Sequence, residues 1–428
     1  MNLCLDNGRI LGKRQGQTYL LEDDISVHPV YGMYSDYKGS LIVHIGDKLY
    51  DFKSDIDYKA ITCPALALNK SKLFAFNSKL YILDGEKYLQ YDGKECKEVE
   101  PYVPRVNMNR KPDGSNSMID ESWNLLGNAF KNTFNGDGES TLYKLSLDGL
   151  DDTSPIVKVN GKTVASDEYT FDRFEGEIKF SKAPAKGDNN IEITAYKTFP
   201  ELRDNILKCS IAEEFSNRIF ISGNPNIKNT YYAGGITENF DASYFPQKYT
   251  YVISGDDKAI TGFKALQNKL VVFKENMTCI IEEATGLDNT ASFPISFLNV
   301  EIGCDIPDSI QLLNDAVVFA NTYGGVFVIV STYQGEKNIK NISRNINGTN
   351  QRHGLLQEAN LKNATSMDYD FKYYLATPSG NCYVFDYLDG INTENSSSKS
   401  RSACYNKWFL FNNIHANKFG TMNNKLIY

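Results

Sequence analysis

Tryptophan and histidine are scarce in this chain of 428 residues, which has two Trp and four His. No two histidines are four residues apart, so the sequence lacks a helical zinc site of the HExxH type. The histidines are His28, His44, His353 and His415. With only Trp123 and Trp408, the chain also lacks the indole platforms expected of a sugar-binding site, unless tyrosine takes their place.

Signatures of catalysis are missing as well. There is no GxSxG nucleophile elbow, and none of the Asp-box turns that mark sialidases. Gly161-Lys162-Thr163 resembles the end of a phosphate-binding loop, but Ile156 stands where that motif requires its first glycine. Acidic pairs such as Asp23-Asp24, Glu213-Glu214 and Glu282-Glu283 are typical of solvated strand ends or loops.

Asp256-Asp257 follows Gly255 in a predicted turn, where a Ca²⁺ site would need further ligands that the sequence does not supply. We therefore predict no catalytic, cofactor-binding or metal-binding residues. The chain is expected not to be an enzyme.

Long apolar runs and clustered basic residues are also absent. No run approaches the ~18 residues of a membrane span, and the N-terminus shows no secretory signal. The formal net charge of −8 argues against a surface that grips DNA phosphates, but not against DNA that merely passes by. The eight cysteines lack a CxxC pair, which indicates reduced, mostly buried thiols. They are Cys4, Cys63, Cys96, Cys209, Cys279, Cys304, Cys382 and Cys404.

Short apolar strands joined by tight polar turns recur along the chain, whereas helical periodicity is weak. The first units cover 40–52 and 72–83, and later ones begin at 218, 268, 315 and 371. Turn positions hold residues that tolerate positive φ, such as Gly46-Asp47 and Asn77-Ser78. The abundance of Tyr (27) and Phe (24) also favours strands.

The spacing of these units predicts a β-propeller. Successive later units are 50, 47 and 56 residues apart, close to the ~40–50 residues of a four-stranded blade. The gap from 72 to 218 is too long, but removing the 95 residues 105–199 leaves 51. We therefore expect an all-β protein: a β-propeller of six or seven blades, formed by 1–104 and 200–428, with an inserted small β-sandwich-like domain at 105–199.

The predicted insertion has an irregular first part and a regular second part. The segment 105–150 is polar and Gly-rich, with a short helix expected around Ser122–Phe130. Its core at 155–197 shows the period-2 alternation of strands with one wet face, in segments such as 156–159 and 177–180.

A further unit begins near 422, where Asn424–Tyr428 is interpreted as the first strand of another hairpin. Two explanations remain open. The ring closes by pairing this strand with a segment within 9–20, which would hide two sheet edges, or the sequence is a truncated form of a longer protein.

Several segments together resemble a bacteriophage family. Asp6-Asn-Gly-Arg9 with Lys13-Arg-Gln-Gly16, and Arg218-Ile-Phe-Ile-Ser-Gly-Asn-Pro225, are similar to motifs of phage propeller proteins. So are Ile260-Thr-Gly262, Asn268–Lys274, Ile302-Gly-Cys304 and Gly324-Gly-Val326, and the run from Trp123 to Tyr196 resembles a segment inserted in such proteins. The family is that of the packaged-DNA stabilization proteins, also called tail hub or nozzle proteins, of short-tailed phages.

This resemblance implies a structural virion protein made in the host bacterial cytoplasm. In the family, copies form a ring, commonly a hexamer, below the portal and its adaptor, and double-stranded DNA passes through the ring without specific recognition. The implied partners are therefore other copies of the chain, the portal and adaptor, and other tail or fibre proteins. Acid-rich loops facing the ring's lumen would suit such a conduit, because they repel phosphates.

Two alternatives belong to other classes. A carbohydrate-binding or glycan-cleaving propeller would have a pocket on one face, lined by Tyr and two or three carboxylates. A bacterial protein-interaction scaffold would have no connection with virions.

Overall fold

A computed structural model describes most of the chain, which divides into two compact units. The described residues are 3–5, 11–14, 16–18, 20, 27–286, 290–330, 332, 338–391 and 406–428. The first unit comprises Met1–Glu98, Lys208–Tyr231 and Val252–Tyr428, and the second comprises Val99–Leu207 and Tyr232–Tyr251. The segment 105–199 that the sequence indicates as an insertion lies within the longer part of the second unit.

The chain begins with a hairpin and two four-stranded antiparallel sheets. The hairpin consists of β1 (Leu3–Leu5) and β2 (Leu11–Lys13). Blade 1 contains β3 (Val30–Tyr37), β4 (Ser40–Ile45), β5 (Lys48–Phe52) and β6 (Tyr58–Ile61). Blade 2 contains β7 (Lys72–Phe76), β8 (Lys79–Leu83), β9 (Tyr88–Tyr91) and β10 (Cys96–Glu98). In both blades the strands are paired in chain order.

The longer part of the second unit, Val99–Leu207, contains nine strands in two sheets and an eight-residue helix. The strands are β11 (Arg105–Arg110), β12 (Met118–Ile119), β13 (Ala129–Gly136), β14 (Leu142–Lys144), β15 (Ile156–Val159), β16 (Lys162–Thr163), β17 (Tyr169–Asp172), β18 (Glu177–Phe180) and β19 (Gly187–Tyr196), followed by α1 (Pro200–Leu207). The larger sheet has the order β12-β11-β13-β19-β15-β16, and the smaller has the order β14-β18-β17. Only β11 and β13 are a parallel pair among these described strands.

The core of the second unit lies between its two sheets. Phe134 of the larger sheet contacts Tyr143 of the smaller one edge to face, with ring centroids 5.5 Å apart. Tyr143 meets Phe180 in the same manner at 5.4 Å. All three side chains are buried, so this unit is a small β-sandwich, as the sequence predicts.

The helix expected around Ser122–Phe130 is wrong, because β13 already begins at Ala129. The buried Asn124 explains the difference. Its Oδ1 accepts hydrogen bonds from the backbone N–H groups of Leu126 at 3.1 Å and of Phe245 at 2.9 Å. These contacts hold the backbone in a turn, and one of them reaches far along the chain, beyond any local sequence signal.

In the described part of the chain, no helix combines the length and apolar character that crossing a bilayer requires.

Four further blades follow. Blade 3 contains β20 (Ile211–Phe215), β21 (Arg218–Ser222), β22 (Thr230–Ala233) and β23 (Thr250–Val252). Blade 4 contains β24 (Ile260–Leu266), β25 (Lys269–Lys274), β26 (Thr278–Ile281) and β29 (Ile295–Asn299), with the hairpin β27 (Ala284–Thr285) and β28 (Ala291–Ser292) before its last strand. Blade 5 contains β30 (Gln311–Leu313), β31 (Ala316–Asn321), β32 (Gly325–Ile329) and β33 (Ile339–Asn341).

Blade 6 contains β34 (Thr365–Tyr369), β35 (Lys372–Ala376), β36 (Asn381–Asp386) and β37 (Lys407–Asn412), and the C-terminal hairpin contains β38 (Gly420–Met422) and β39 (Lys425–Ile427). Single turns of 3₁₀ helix occur at Gln247–Tyr249, Pro307–Ser309, Arg344–Ile346, Leu355–Gln357 and Leu361–Asn363.

The first strands of the blades lie side by side around a common axis. Contacts run from β3 to β7, β20, β24, β30 and β34 in turn, and β38 returns to β3. The six four-stranded blades and a two-stranded seventh element in the described part of the chain therefore form a β-propeller, which consists of the first unit together with the adjoining residues of β22 and β23. This confirms the fold class expected from the repeat spacing.

Polar side chains on these first strands join one blade to the next. Glu213 of blade 3 forms an ion pair with Lys264 of blade 4 at 3.1 Å and accepts the Ala265 N–H at 3.2 Å. Gln311 of blade 5 donates to the Ser366 carbonyl of blade 6 at 3.1 Å. Directional bonds of this kind fix the angle between blades, which apolar contact alone does not.

The apolar core lies between neighbouring blades. Phe273 of blade 4 and Phe319 of blade 5 have ring centroids 4.7 Å apart. The buried Tyr373 of blade 6 reaches back to blade 5, where its hydroxyl donates to the Ser309 carbonyl at 2.8 Å. Each blade thus buries both faces against its neighbours, which is the property that makes a propeller stiff.

The C-terminal segment differs from the sequence-based interpretation. Residues 425–427 form the second strand of their hairpin rather than the first. The hairpin meets blade 1 through β38, where the Thr421 N–H donates to Ser35 Oγ at 2.8 Å. Among the described residues β39 pairs only with β38, so the pairing with a segment within 9–20, one of the two explanations left open, does not occur there.

Seven of the eight cysteines lie in the described part, and all seven are free thiols, five of them buried. Burial raises the pKa of Cys279, Cys304 and Cys382 to about 12, which keeps these groups protonated and unreactive. Cys404 lies outside the described residues.

The substitution Gly303→Ala tests how tightly blade 4 is packed. A Cβ at this position would collide with backbone atoms of Lys274, Asn276 and Met277. We expect Gly303→Ala to destabilise the fold by about 1–3 kcal/mol, measured as a lower midpoint of thermal unfolding. Gly12→Ala is the matched control, because a Cβ there meets nothing within 4 Å. Equal midpoints for the two variants would refute the packing described here.

Candidate functional site

A cavity of about 790 Å³ lies within the first unit. Its walls come from the segments that lead into the first strands of blades 2 to 6 and of the C-terminal hairpin, and from the loops after the second strands of blades 2, 3 and 4. The lining residues are Asn69, Lys70, Ser71, Lys72, Gly85, Lys208, Ser210, Ile211, Gly223, Asn224, Pro225, Lys228, Asp257, Lys258, Ala259, Ile260, Thr261, Glu275, Asp305, Pro307, Asp308, Lys362, Asn363 and Lys418.

Lysine dominates this lining. Seven lysines face four carboxylates, an excess of three positive charges, in a chain whose formal net charge is −8. The cavity is therefore a local reversal of the overall charge, and it is expected to attract anions.

Asp308 connects three parts of the ring across the cavity. Its Oδ1 lies 2.7 Å from Lys418 Nζ, and its Oδ2 lies 3.3 Å from Lys70 Nζ. Lys418 precedes the C-terminal hairpin, and Lys70 precedes blade 2. Asp308 itself belongs to the 3₁₀ turn that leads into blade 5. Burial tends to raise the pKa of Asp308, but Lys418 and Lys70 outweigh this effect and hold the pKa below its usual value.

Glu275 repeats the arrangement on another wall. Its carboxylate lies 3.4 Å from Lys362 Nζ and 4.0 Å from Lys258 Nζ. Two carboxylates thus hold four of the seven lysines, so each of these clusters retains a positive charge.

Lys72 and Lys228 form no ion pair with any described residue. Lys72 begins β7, and the carboxylates whose charge acts on it are Glu213 and Asp308. Both of these are already paired with other lysines. Burial lowers the pKa of Lys72, which is the effect expected of a cation that has lost water without gaining a dedicated partner.

The loop Gly223–Pro225, which follows the strand β21, also forms part of the cavity wall. Gly223 has φ +85°, and a Cβ there would collide with Ser210 and Ile211. The Ser210 hydroxyl donates to the Gly223 carbonyl at 3.1 Å, which holds the loop against the start of blade 3.

The residues weighed from sequence for catalysis or metal binding have structural partners of their own. Asp256 pairs with Lys274 and accepts from Asn276 Nδ2 at 3.1 Å, so its charge is neutralised by a side chain with no solvent exposure. Only its neighbour Asp257 lines the cavity. The described residues contain no group of three or more His, Cys, Asp and Glu side chains placed to hold a metal ion.

The acidic pairs and the Gly-Lys-Thr motif are also accounted for. Glu213 pairs with Lys264, and Glu282 pairs with Lys269 at 2.6 Å. Gly161 lies in the turn of the β15–β16 hairpin with φ +76°. Asp23-Asp24 lies outside the described residues, as does the Asp6–Arg9 motif.

His44 and His353 lie in different blade regions. Burial lowers the pKa of His44, whose ring nitrogens contact Ser71 Oγ at 2.9 Å and the Gly46 carbonyl at 2.8 Å. His353 Nε2 lies 3.4 Å from Glu358 Oε1. Neither histidine lines the cavity.

Glu358 is a buried carboxylate that the sequence did not reveal. Tyr383 Oη donates to it at 2.8 Å and Asn381 Nδ2 at 2.9 Å, and Ser379 also contacts it. These hydrogen bonds overcome the effect of burial and lower its pKa. A carboxylate with so many donors braces blade 6 rather than transferring protons.

No protein-family model and no curated protein matches this chain. Solved structures that align with it include Sqt1 from Saccharomyces cerevisiae, with 12% identity and a TM-score of 0.37 over 93% of this chain and 88% of that chain. BamB from Moraxella catarrhalis has 10% identity and a TM-score of 0.36 over 93% and 89%. Hsv2p from Kluyveromyces lactis has 10% identity and a TM-score of 0.30 over 90% and 97%. At these values the likenesses carry no conclusion about activity or partners.

Asp308→Asn tests whether the ion pairs across the cavity stabilise the ring. A carboxyl with a lowered pKa stabilises the fold above its unfolded pKa of about 3.9 and loses this effect as pH falls. We expect a cost of about 1–2 kcal/mol at neutral pH, which shrinks below about pH 4. Thermal unfolding at neutral pH and below pH 4 measures this cost.

Asp55→Asn is the control for Asp308→Asn, since Asp55 is exposed and the substitution removes the same charge. A deficit of Asp308→Asn that stays constant with pH, or one matched by the control, would contradict the role of these ion pairs.

Proposed function

We propose that this chain is a structural protein of a bacteriophage tail or neck, a subunit of a ring-shaped hub or nozzle that retains the genome and then passes it. The observation that carries the proposal is the resemblance of several segments to phage propeller proteins. Two of the segments within the described residues fall at structurally demanding positions, and Arg218–Ser222 forms the wholly buried strand β21. The Ile302-Gly-Cys304 segment contains Gly303, whose site admits no side chain.

The architecture of the first unit suits such a role. Blades buried on both faces resist deformation, and the ion pairs and hydrogen bonds between first strands add directional restraint. A ring built from stiff subunits can withstand the pressure of packaged DNA without moving parts. The overall negative charge would keep DNA from adhering to the assembled conduit.

The second unit offers a surface for assembly with another copy of the chain. The strand β12 forms one edge of the larger sheet, and its residues Met118 and Ile119 are 57% and 86% exposed. An exposed apolar edge strand is a template for pairing with another chain. The opposite edge, β16, carries the polar residues Lys162 and Thr163 instead.

The cavity gives less support to the carbohydrate alternative. That alternative predicts tyrosine side chains beside the carboxylates, and no aromatic residue is among the described residues that line the cavity. A glycan array or hydrolase screen remains the direct test of it.

Imaging the purified chain with a portal–adaptor complex tests the proposal. The complex would come from genes that neighbour this one. We expect closed rings of fixed symmetry below the adaptor in electron micrographs. A protein that stays monomeric and does not join the complex, or a gene neighbourhood without portal and terminase genes, would refute the virion role.

Ile119→Lys tests the assembly edge. Removing about 1.5–3 kcal/mol of side-chain burial at each contact would weaken self-association at least about tenfold, measured by sedimentation velocity. Thr163→Lys, on the opposite edge of the same sheet, is the matched control and should assemble normally. If both variants assemble like the original chain, β12 is not the contact.

A further inference from the structure

We propose that the lysine-lined cavity of the propeller binds a small polyphosphate, an anion with two or more linked phosphoryl groups. This inference stands on the geometry of the first unit and does not depend on the proposed virion role.

The charge pattern calls for an anion. Asp308 and Glu275 each hold two lysines, which positions four ammonium groups but leaves both clusters positive. Lys72 and Lys228 have no carboxylate partner among the described residues. A ligand with several negative charges would complete this set of contacts.

Burial supports the same conclusion. Desolvation lowers the pKa of Lys72, and the two carboxylates that act on it are shared with other lysines. A bound anion would replace the lost water with charge-assisted hydrogen bonds and return the ammonium group to its ordinary state.

The side-chain type favours phosphate over carboxylate. Arginine, whose planar fork matches a carboxylate, is absent from the described residues of the lining, while lysine is a point-charge donor frequently used for phosphate. The lysines also come from separate parts of the ring. Lys72 begins blade 2, Lys258 precedes blade 4 and Lys418 precedes the C-terminal hairpin. A chain of phosphates offers a separate charged group to each of several walls.

The size of the cavity sets the scale of the ligand. Sites for small molecules typically occupy about 300–1,000 Å³, and this cavity has about 790 Å³. Duplex DNA needs an extended track of cationic contacts along a surface, whereas these lysines line one cavity. The ligand is therefore expected to be a small molecule.

Isothermal titration of the full chain with inorganic tripolyphosphate at low salt tests the proposal. We expect saturable binding to one site, weakened by added salt because the contacts are ionic. Inorganic monophosphate and citrate should bind at least about tenfold more weakly. An adenosine triphosphate arm asks whether a nucleoside is accommodated, and binding as tight as that of tripolyphosphate would also support a phosphate site.

Two substitutions locate the site. Lys72→Met and Lys228→Met together should weaken tripolyphosphate binding at least about tenfold. Lys228→Met alone should also weaken it, and because Lys228 is exposed, this variant tests the site without threatening the fold. Lys59→Met, an exposed lysine outside the cavity, is the matched control and should bind normally.

Thermal unfolding, with and without tripolyphosphate, gives a second measurement. The ligand should raise the unfolding midpoint of the original chain and of Lys59→Met, but not that of the double variant. Absence of saturable binding, equal affinity for citrate, or undiminished binding by the double variant would overturn the proposal.

Discussion

The first unit depends on the close approach of its first strands around one axis. These strands touch in sequence from β3 to β34, β38 lies beside β3, and Tyr369 of β34 donates to the Asn424 carbonyl of the C-terminal hairpin at 2.5 Å. Where backbones pass so closely, glycine is needed, and a Cβ at Gly32 would strike Ser71 and Leu73 of the next blade. The polar residues of these strands, such as Glu213 and Gln311, are then used to bind neighbouring blades. The apolar layers between the blades follow from this arrangement.

The sequence predicted the second and third strands of the blades much better than the first. The strands β21, β25, β31 and β35 are almost continuously buried and read as apolar runs. The first strands β20 and β30 are short or carry charge, as in Ile211–Phe215 with its two glutamates, so the repeat was counted from the wrong strand in the later blades. The strands of the insertion could be predicted because each sheet has one face exposed to solvent, which gives an alternating apolar and polar sequence. The turn at Asn124 could not be predicted, because its hydrogen-bond partner Phe245 is distant in sequence.

The same reasoning explains why the cavity was missed. Its lysines lie one or two at a time in separate segments of the chain, at 70–72, 208, 228, 258, 362 and 418. None of them forms a local cluster, and only the ring brings them together. The net charge of the whole chain is negative and so does not indicate an anion-binding cavity, because the excess of carboxylates is spread over the rest of the molecule. The convergence of these lysines exists only after folding, whereas the resemblance to phage proteins rests on local motifs.

A side-chain-resolution electron density map of the full chain would test the central claim, that the blades close into one ring around the cavity, most directly. The account predicts β38 beside β3, with Ser35 within hydrogen-bond distance of the Thr421 backbone, and Asp308 between Lys70 and Lys418. An open arc of blades, with β38 apart from β3 and Asp308 distant from both lysines, would contradict it.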